Sequence, residues 1–298
     1  MAKNKEKDLN RGSQGFNSYY KEIFGERWKV LKEALLKESV PVSYNLSKIK
    51  GEEDGELRTY YLDAASILAA FSLPLKGAEE ILDLCAAPGG KTLVISSLMD
   101  EDSKLTSNER SAERKHRLSK VVEEHIPSRI KENITVTCSD GAVWCKTKSN
   151  CFDRILLDAP CSSERHVLQD EKYLAQWSPA RIKTLSMEQW ALLSSAYRML
   201  KDNGILLYST CALAPKENDE VIERLFKKFD NCVNLSFESE KYQNLKNDEA
   251  KLQLFTDNVS LPDFERTKYG YQILPDKQNG AGPIYFSIIM KKLNISSN

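Results

Sequence analysis

A chain of 298 residues, 41% hydrophobic and 29% charged, is long enough to bury a full core and has the balance of an ordinary water-soluble fold. Its 43 basic residues match its 43 acidic ones, which excludes a protein that holds nucleic acid by bulk positive charge alone. No run of about 18 apolar residues occurs, and Met1-Ala-Lys-Asn-Lys-Glu-Lys leads into no apolar signal core. No membrane span is expected, and the cytoplasm fits best, with a mature mitochondrial form as the alternative.

In chain order, residues 1–15 are polar, contain Gly and Ser, and read as a disordered tail. Residues 16–60 read as a helical N-terminal extension. Phe16, Tyr19, Tyr20, Ile23, Phe24, Trp28, Leu31, Ala34 and Leu35 recur at helical spacing, and Gly25 splits them into two short helices that lay an aromatic face on the body. Pro41–Gly55, ending in Glu52-Glu53-Asp54, reads as a solvated linker, and Leu62–Leu73 as a helix capped by Asp63. From residue 61 to 298 a single catalytic domain is expected.

Within that domain strands and helices alternate. Strands are predicted at Ile81–Ala86, Lys104–Asn108, Ile134–Thr137, Phe152–Leu157, Ile205–Tyr208, Val233–Phe237 and Ile284–Met290. Helices are predicted at Thr92–Met99, Ser111–Glu124, Ser186–Leu200 (stopped by Gly204) and Glu217–Phe229, with 240–270 a polar irregular insertion. This alternation predicts an α/β, Rossmann-like fold, a mainly parallel twisted sheet with helices on both faces.

In such sheets a ligand sits beyond the carboxyl ends of the strands, where the strand order reverses. The residues closing these strands are Asp83, Glu109, Asp140, Asp158 and Cys211. The first of them runs into Cys85-Ala86-Ala87-Pro88-Gly89-Gly90-Lys91-Thr92, a small-residue loop at a helix start. The loop has two readings. Gly90-Lys91-Thr92 ends like a phosphate-binding P-loop, but Cys85 replaces the first glycine of that motif. As a cofactor loop it has an acidic strand end, and Glu109 follows Asp83 at close to the roughly 20-residue spacing at which a carboxylate reaches ribose hydroxyls. Ile155-Leu156-Leu157-Asp158 would suit the Mg²⁺-holding strand of a P-loop NTPase. The thiol in Asp158-Ala159-Pro160-Cys161-Ser162 and the one in Ser209-Thr210-Cys211 speak against it. The seven cysteines show no C-x-x-C spacing, so no metal site is expected. Strands about 4.8 Å apart would let Cys161 and Cys211 face one pocket.

These three stretches together, Asp83–Thr92, Asp158–Ser162 and Ser209–Cys211, resemble the NOL1/NOP2/Sun family of RNA (cytosine-5) methyltransferases, which use S-adenosylmethionine. The likeness extends from about Tyr61 to Met290 and includes Gln189, Leu193 and Glu217-Asn218. The Phe16–Trp28 segment, Ser163-Glu164-Arg165-His166 and Gly282–Phe286 resemble the mitochondrial branch, without an added RNA-binding domain.

What the resemblance implies follows from the chemistry. Carbon-5 of cytosine is too weak a nucleophile unless a thiolate first adds to carbon-6. The resemblance makes Cys211 that nucleophile, gives Cys161 a role in releasing the adduct, sets Asp158 on the cytosine edge and has Lys91 orient Asp158. DNA cytosine-5 methyltransferases would instead use the thiol after proline, here Cys161. For the cofactor it implies that Cys85, Ala86, Ala87, Pro88, Gly89, Gly90 and Lys91 cradle the methionine part. Glu109 takes the ribose, Arg114 steadies Glu109, Asp140 lies near the adenine, and Asp158 serves both pockets.

The expected substrate is RNA, ribosomal before transfer RNA. With net charge zero, a helper RNA-binding protein or a ribosomal particle is an expected partner. A P-loop NTPase and a non-catalytic cofactor-binding scaffold are the competing classes. The departure at Ser163-Glu164-Arg165-His166 from the Gly-rich family pattern puts the RNA contacts in question, and His166 is read as either a phosphate or base contact or a structural residue.

Overall fold

The computed structural model describes residues 11–47, 49, 57–236, 253, 255–256 and 261–293. Glu52-Glu53-Asp54 and much of the expected 240–270 insertion lie outside these residues, as do residues 1–10. At the N-terminal side the first helix, α1 (Gly12–Phe24), starts inside the stretch read as a tail. Gly25, at φ 57°, breaks it from α2 (Arg27–Leu36). The expected linker contains β1 (Val42–Tyr44), paired antiparallel with β2 (Tyr60–Leu62), and Tyr44 and Leu46 are buried there. Burial of these two side chains is what overrides the polar composition around them. Next comes α3 (Ala64–Phe71), whose first turn is capped by Asp63 accepting from the Ala65 N–H at 2.8 Å.

The catalytic sheet is built from β3 (Glu80–Asp83), β4 (Lys104–Asn108), β5 (Ile134–Thr137), β6 (Phe152–Asp158), β7 (Leu200–Thr210), β8 (Cys232–Leu235), β9 (Glu265–Arg266), β10 (Tyr271–Ile273) and β11 (Ile284–Lys291). Its order is β5-β4-β3-β6-β7-β11-β10-β9, with β8 also pairing β11. The five strands from β5 to β7 are parallel, and β11 runs antiparallel to β7. The helices between them are α4 (Gly90–Leu98), α5 (Ala112–His125), α6 (Ser128–Lys131), α7 (Glu164–Gln169), α8 (Glu171–Gln176), α9 (Pro179–Met199) and α10 (Asp219–Lys228).

Period-2 alternation assigns each strand residue a face. In β6, Leu156 packs with Ile67, Leu93, Ile95 and Leu118 of α3, α4 and α5. Ile155 and Leu157 pack on the other face with Leu193 and Tyr197 of α9 and Val221 and Ile222 of α10. Both faces are covered, as a parallel sheet requires. Helix α9 begins earlier than the apolar spacing suggests, because Pro179 supplies its first turn. It also ends differently. Leu200, not Gly204, turns the chain extended, and Gly204 lies inside β7, where a Cβ would sit 2.7 Å from the Lys201 carbonyl oxygen.

A third cluster joins the N-terminal helices to the body. Phe16, Tyr20, Trp28, Leu31 and Leu35 pack on Val167, Leu168, Trp177 and Leu213, and burial of each large side chain stabilises by ~1.5–3 kcal/mol. This extension therefore backs the segments on either side of Cys161 and Cys211.

Candidate active site

The strand order reverses between β3 and β6, because the chain builds outward to β4 and β5 on one side and to β7 and β11 on the other. Three cavities follow this line at the carboxyl ends of the strands. The first, about 40 Å³, is lined by Glu109, Arg114, Asp140 and Cys85, and the second, about 140 Å³, by Cys85, Lys91, Asp83, Ser66 and Asp158. The third, about 330 Å³, is lined by Ser66, Ser163, His166, Cys211 and Gly282. Cys85 is shared by the first two and Ser66 by the last two, so the three form one trough.

The loop before α4 shapes its middle. Gly89 adopts φ 124°, and a Cβ there would meet Val121 Cγ1 at 2.8 Å, so only glycine fits. Ala86, Ala87, Pro88 and Gly90 line the middle cavity, whereas Gly89 is buried behind it. The P-loop reading fails on two side chains. Thr92 is fully buried and donates to Asp83 Oδ2 at 2.7 Å, so its hydroxyl is turned away from any Mg²⁺. Lys91 Nζ is committed to Asp158 Oδ2 at 2.7 Å and faces Ser66 Oγ at 3.5 Å. Burial works against the Lys91 charge, but the Asp158 carboxylate and its hydrogen bond hold its pKa above the ordinary lysine value. Burial likewise pushes the Asp83 carboxyl up to about 7, and its Oδ1 has no hydrogen-bond partner.

At the first cavity, Glu109 Oε1 accepts from the Ser111 N–H at 2.9 Å, while its buried Oε2 has no hydrogen-bond partner and lies 3.3 Å from Arg114 Nη1. Arg114 also donates to the Ala87 carbonyl at 2.8 Å, tying the Glu109 end of the trough to the small-residue loop. Asp140 is exposed and accepts from the Ala142 N–H at 3.0 Å, which makes it both turn former and cavity wall. Asn108, which motif reading passes over, donates to the Leu84 and Ser139 carbonyls at 3.0 Å each and so holds these strand ends together.

At the far end, β6 and β7 are in register with Asp158 opposite Ser209, and Ser209 Oγ donates to Asp158 Oδ1 at 2.8 Å. Just beyond, Cys161 Sγ and Cys211 Sγ lie 2.6 Å apart. Cys211 lines the largest of the three cavities and Cys161 does not. The Cys211 sulfur beside it, and burial, push the Cys161 thiol well above its ordinary range, so Cys161 stays protonated.

Beneath the thiols lies a buried polar network that sequence reading did not resolve. Glu164 accepts from the hydroxyls of Tyr20 and Ser162 and, at 3.0 Å, from the Leu213 N–H, bridging the two cysteine loops and α1. Glu217 Oε2 accepts from the Ser162 N–H at 3.0 Å and from Gln189 Nε2 at 2.8 Å, and Gln189 also reaches the Pro160 carbonyl at 2.8 Å. Burial raises the Glu164 pKa; burial and the Glu164 charge raise the Glu217 carboxyl to about 7. Glu164 and Arg165 thus turn inward. The Arg165 guanidinium donates to the carbonyls of Lys37, Gly280 and Gly282 at 2.8, 2.7 and 2.6 Å, while His166 alone of this run stands exposed on the cavity wall.

Removing one donor from a buried carboxylate is costly. Tyr20→Phe is expected to lower the unfolding free energy by about 1.5 kcal/mol. The Tyr19→Phe control should change it by less than about 0.5 kcal/mol. Urea unfolding of both variants measures the difference.

Among the described residues no helix is long and apolar enough to cross a membrane. The family described as 16S rRNA methyltransferase RsmB/F matches residues 70–287. The chain is similar to the mouse 5-cytosine rRNA methyltransferase NSUN4, at 32% identity over 236 residues, covering 78% of this chain and 60% of that protein. It is also similar to the mouse mitochondrial tRNA (cytosine(34)-C(5))-methyltransferase, at 30% identity over 244 residues, covering 81% and 66%. The fold is that of a methyltransferase homologue from Pyrococcus horikoshii, with a TM-score of 0.69 at 21% identity, over 96% of this chain and 98% of that one. The chain thus spans about 60% of the length of the mouse NSUN4 relative. With the match running from α3 through β11 and containing both thiols, the Lys91–Asp158 pair and the Cys85–Lys91 loop, the chain belongs to the RsmB/F family.

Proposed function

We propose that this chain is an S-adenosylmethionine-dependent RNA (cytosine-5) methyltransferase acting on ribosomal RNA. The observation that carries the reading is the continuity of the trough: a half lined by Asp83, Glu109, Asp140, Asp158 and Glu188 shares Ser66 with a larger half walled by Cys211. Family membership and the printed activity of the NSUN4 relative support the substrate class. Transfer RNA is the alternative, since the other mouse relative bears that name.

The residues present fit the cofactor. Glu109 Oε2 and Asp83 Oδ1 are buried acceptors that lack hydrogen-bond partners, suited to ribose hydroxyls and to an ammonium group. When bound, S-adenosylmethionine supplies an electrophilic methyl group. Lys91 and Ser209 hold Asp158 from its two oxygens, presenting that carboxyl between the two halves. Cys211 faces the half where an extruded base would enter, so its sulfur is placed to add to carbon-6. A neutral chain needs help to hold a large RNA, which favours a ribosomal particle or helper protein as partner and a ribosome-containing compartment, cytoplasmic or mitochondrial.

Calorimetric titration separates the classes. S-adenosylmethionine is expected to bind saturably at micromolar concentration and Mg-ATP not at all, and Glu109→Ala should weaken the former about tenfold. ATP binding without S-adenosylmethionine binding would overturn the reading. Bisulfite sequencing of ribosomal and transfer RNA from cells lacking the gene identifies the RNA.

A further inference from the structure

We propose that Ser163 is a further catalytic residue, its hydroxyl donating a hydrogen bond to the sulfur of Cys211 and holding that sulfur as the attacking thiolate. The inference rests on the reading of Cys211 as nucleophile. Ser163 Oγ lies 3.3 Å from Cys211 Sγ and 3.5 Å from Cys161 Sγ, so it touches both thiols, and its one proton has the Cys161 carbonyl oxygen at 3.4 Å as the competing acceptor. It also lines the cavity that Cys211 faces.

The backbone makes this contact possible. Ser163 sits at φ 55° and ψ 62°, the left-handed region that a residue with a Cβ adopts rarely. Glycine would be the default there, yet the chain carries Ser163. A strained serine is sustained only where its surroundings hold it, and here they do: the next residue, Glu164, is locked by Tyr20, Ser162 and the Leu213 N–H.

Three donors then surround the Cys211 sulfur or face its charge. Cys161 Sγ lies 2.6 Å from it and Ser163 Oγ 3.3 Å, each able to donate once Cys211 has lost its proton, and the Lys91 ammonium attracts the thiolate through space. Ionisation of Cys211 releases its proton to water before attack, and neither Ser163 nor Cys161 loses its own. Of the three, Ser163 alone is a hydroxyl, and its removal leaves the Lys91–Asp158 pair and both sulfurs in place.

The test is the pH dependence of Cys211 alkylation by iodoacetamide in the full chain, without RNA or S-adenosylmethionine. Trypsin releases Cys211 in the peptide Asp202–Lys216, which contains no other cysteine, so mass spectrometry follows this thiol alone. Ser163→Ala keeps the strained backbone and Ser163→Gly relieves it, and both lack the hydroxyl. Each is expected to raise the alkylation midpoint by about one unit and to slow alkylation below that midpoint about tenfold. An unchanged midpoint in either variant overturns the inference, and thermal unfolding of the glycine variant verifies that the fold persists. Because the readout needs no methyl transfer, a chain that fails to methylate RNA still reports on this hydrogen bond.

Discussion

Cys211→Ala is expected to lower methyl transfer to RNA by at least about 10⁴-fold and to form no covalent RNA adduct, while Cys161→Ala forms one that persists. The difference arises from what each sulfur faces. Cys211 opens on the cavity of about 330 Å³, and its thiolate is attracted by Lys91, so it is the sulfur that can reach an extruded base. Cys161 is turned from that cavity and keeps its proton, because a second sulfur 2.6 Å away and burial both oppose its ionisation. After methylation the carbon-5 proton leaves, the 5,6 double bond re-forms and the carbon-6–sulfur bond breaks, returning Cys211 as a thiolate. The Cys161 S–H is positioned to donate to that departing sulfur, so its loss slows departure rather than attack. Denaturing gels with labelled RNA read both variants. An adduct in Cys211→Ala and none in Cys161→Ala would reverse the two roles, the arrangement of the DNA enzymes.

Lys91→Met is expected to lower kcat by about 10³-fold while leaving the KM for S-adenosylmethionine within about threefold. Lys91 acts through Asp158: its ammonium holds one carboxylate oxygen at 2.7 Å while Ser209 holds the other at 2.8 Å. Lys91 lines the cofactor half of the trough, but its ammonium is taken up by Asp158, and its loss does not repel a positively charged ligand. What is lost is the aim of the Asp158 carboxyl and the attraction on the Cys211 thiolate, both of which matter during reaction. Lys91 and Asp158 form one unit, so Lys91→Met combined with Asp158→Asn should cost little more than the worse single change. Steady-state kinetics of the four chains give the coupling, and additive losses would show the two residues to act separately.

Sequence order carried the architecture well because its signals are local. Strands β4 and β5 have the predicted bounds, β3, β6 and β11 differ at their ends, and acidic residues do close β3 and β6. The errors also have local causes. Gly204 looked like a helix stop, yet it serves a close approach within β7, and the polar stretch after Pro41 hid a strand whose Tyr44 is buried against the core. Ser163-Glu164-Arg165-His166 left the RNA contacts in question; in the structure Glu164 is buried and Arg165 donates to backbone carbonyls, while Ser163 and His166 line the cavity.

What the sequence determined by itself were the features read within one element: hydrophobic period, the small-residue loop at Cys85–Lys91, the carboxylates at strand ends and the two thiols after β6 and β7. Tertiary structure alone decided which of these meet. Glu164 finds Tyr20 across 144 residues and Arg165 finds the Gly280 and Gly282 carbonyls across 115 and 117, contacts that no spacing rule encodes. The physical reason lies in what burial demands. Period and turn chemistry are set by neighbours a few residues away, whereas a carboxylate or guanidinium taken out of water must be satisfied by whichever donors and acceptors the packed elements bring to it.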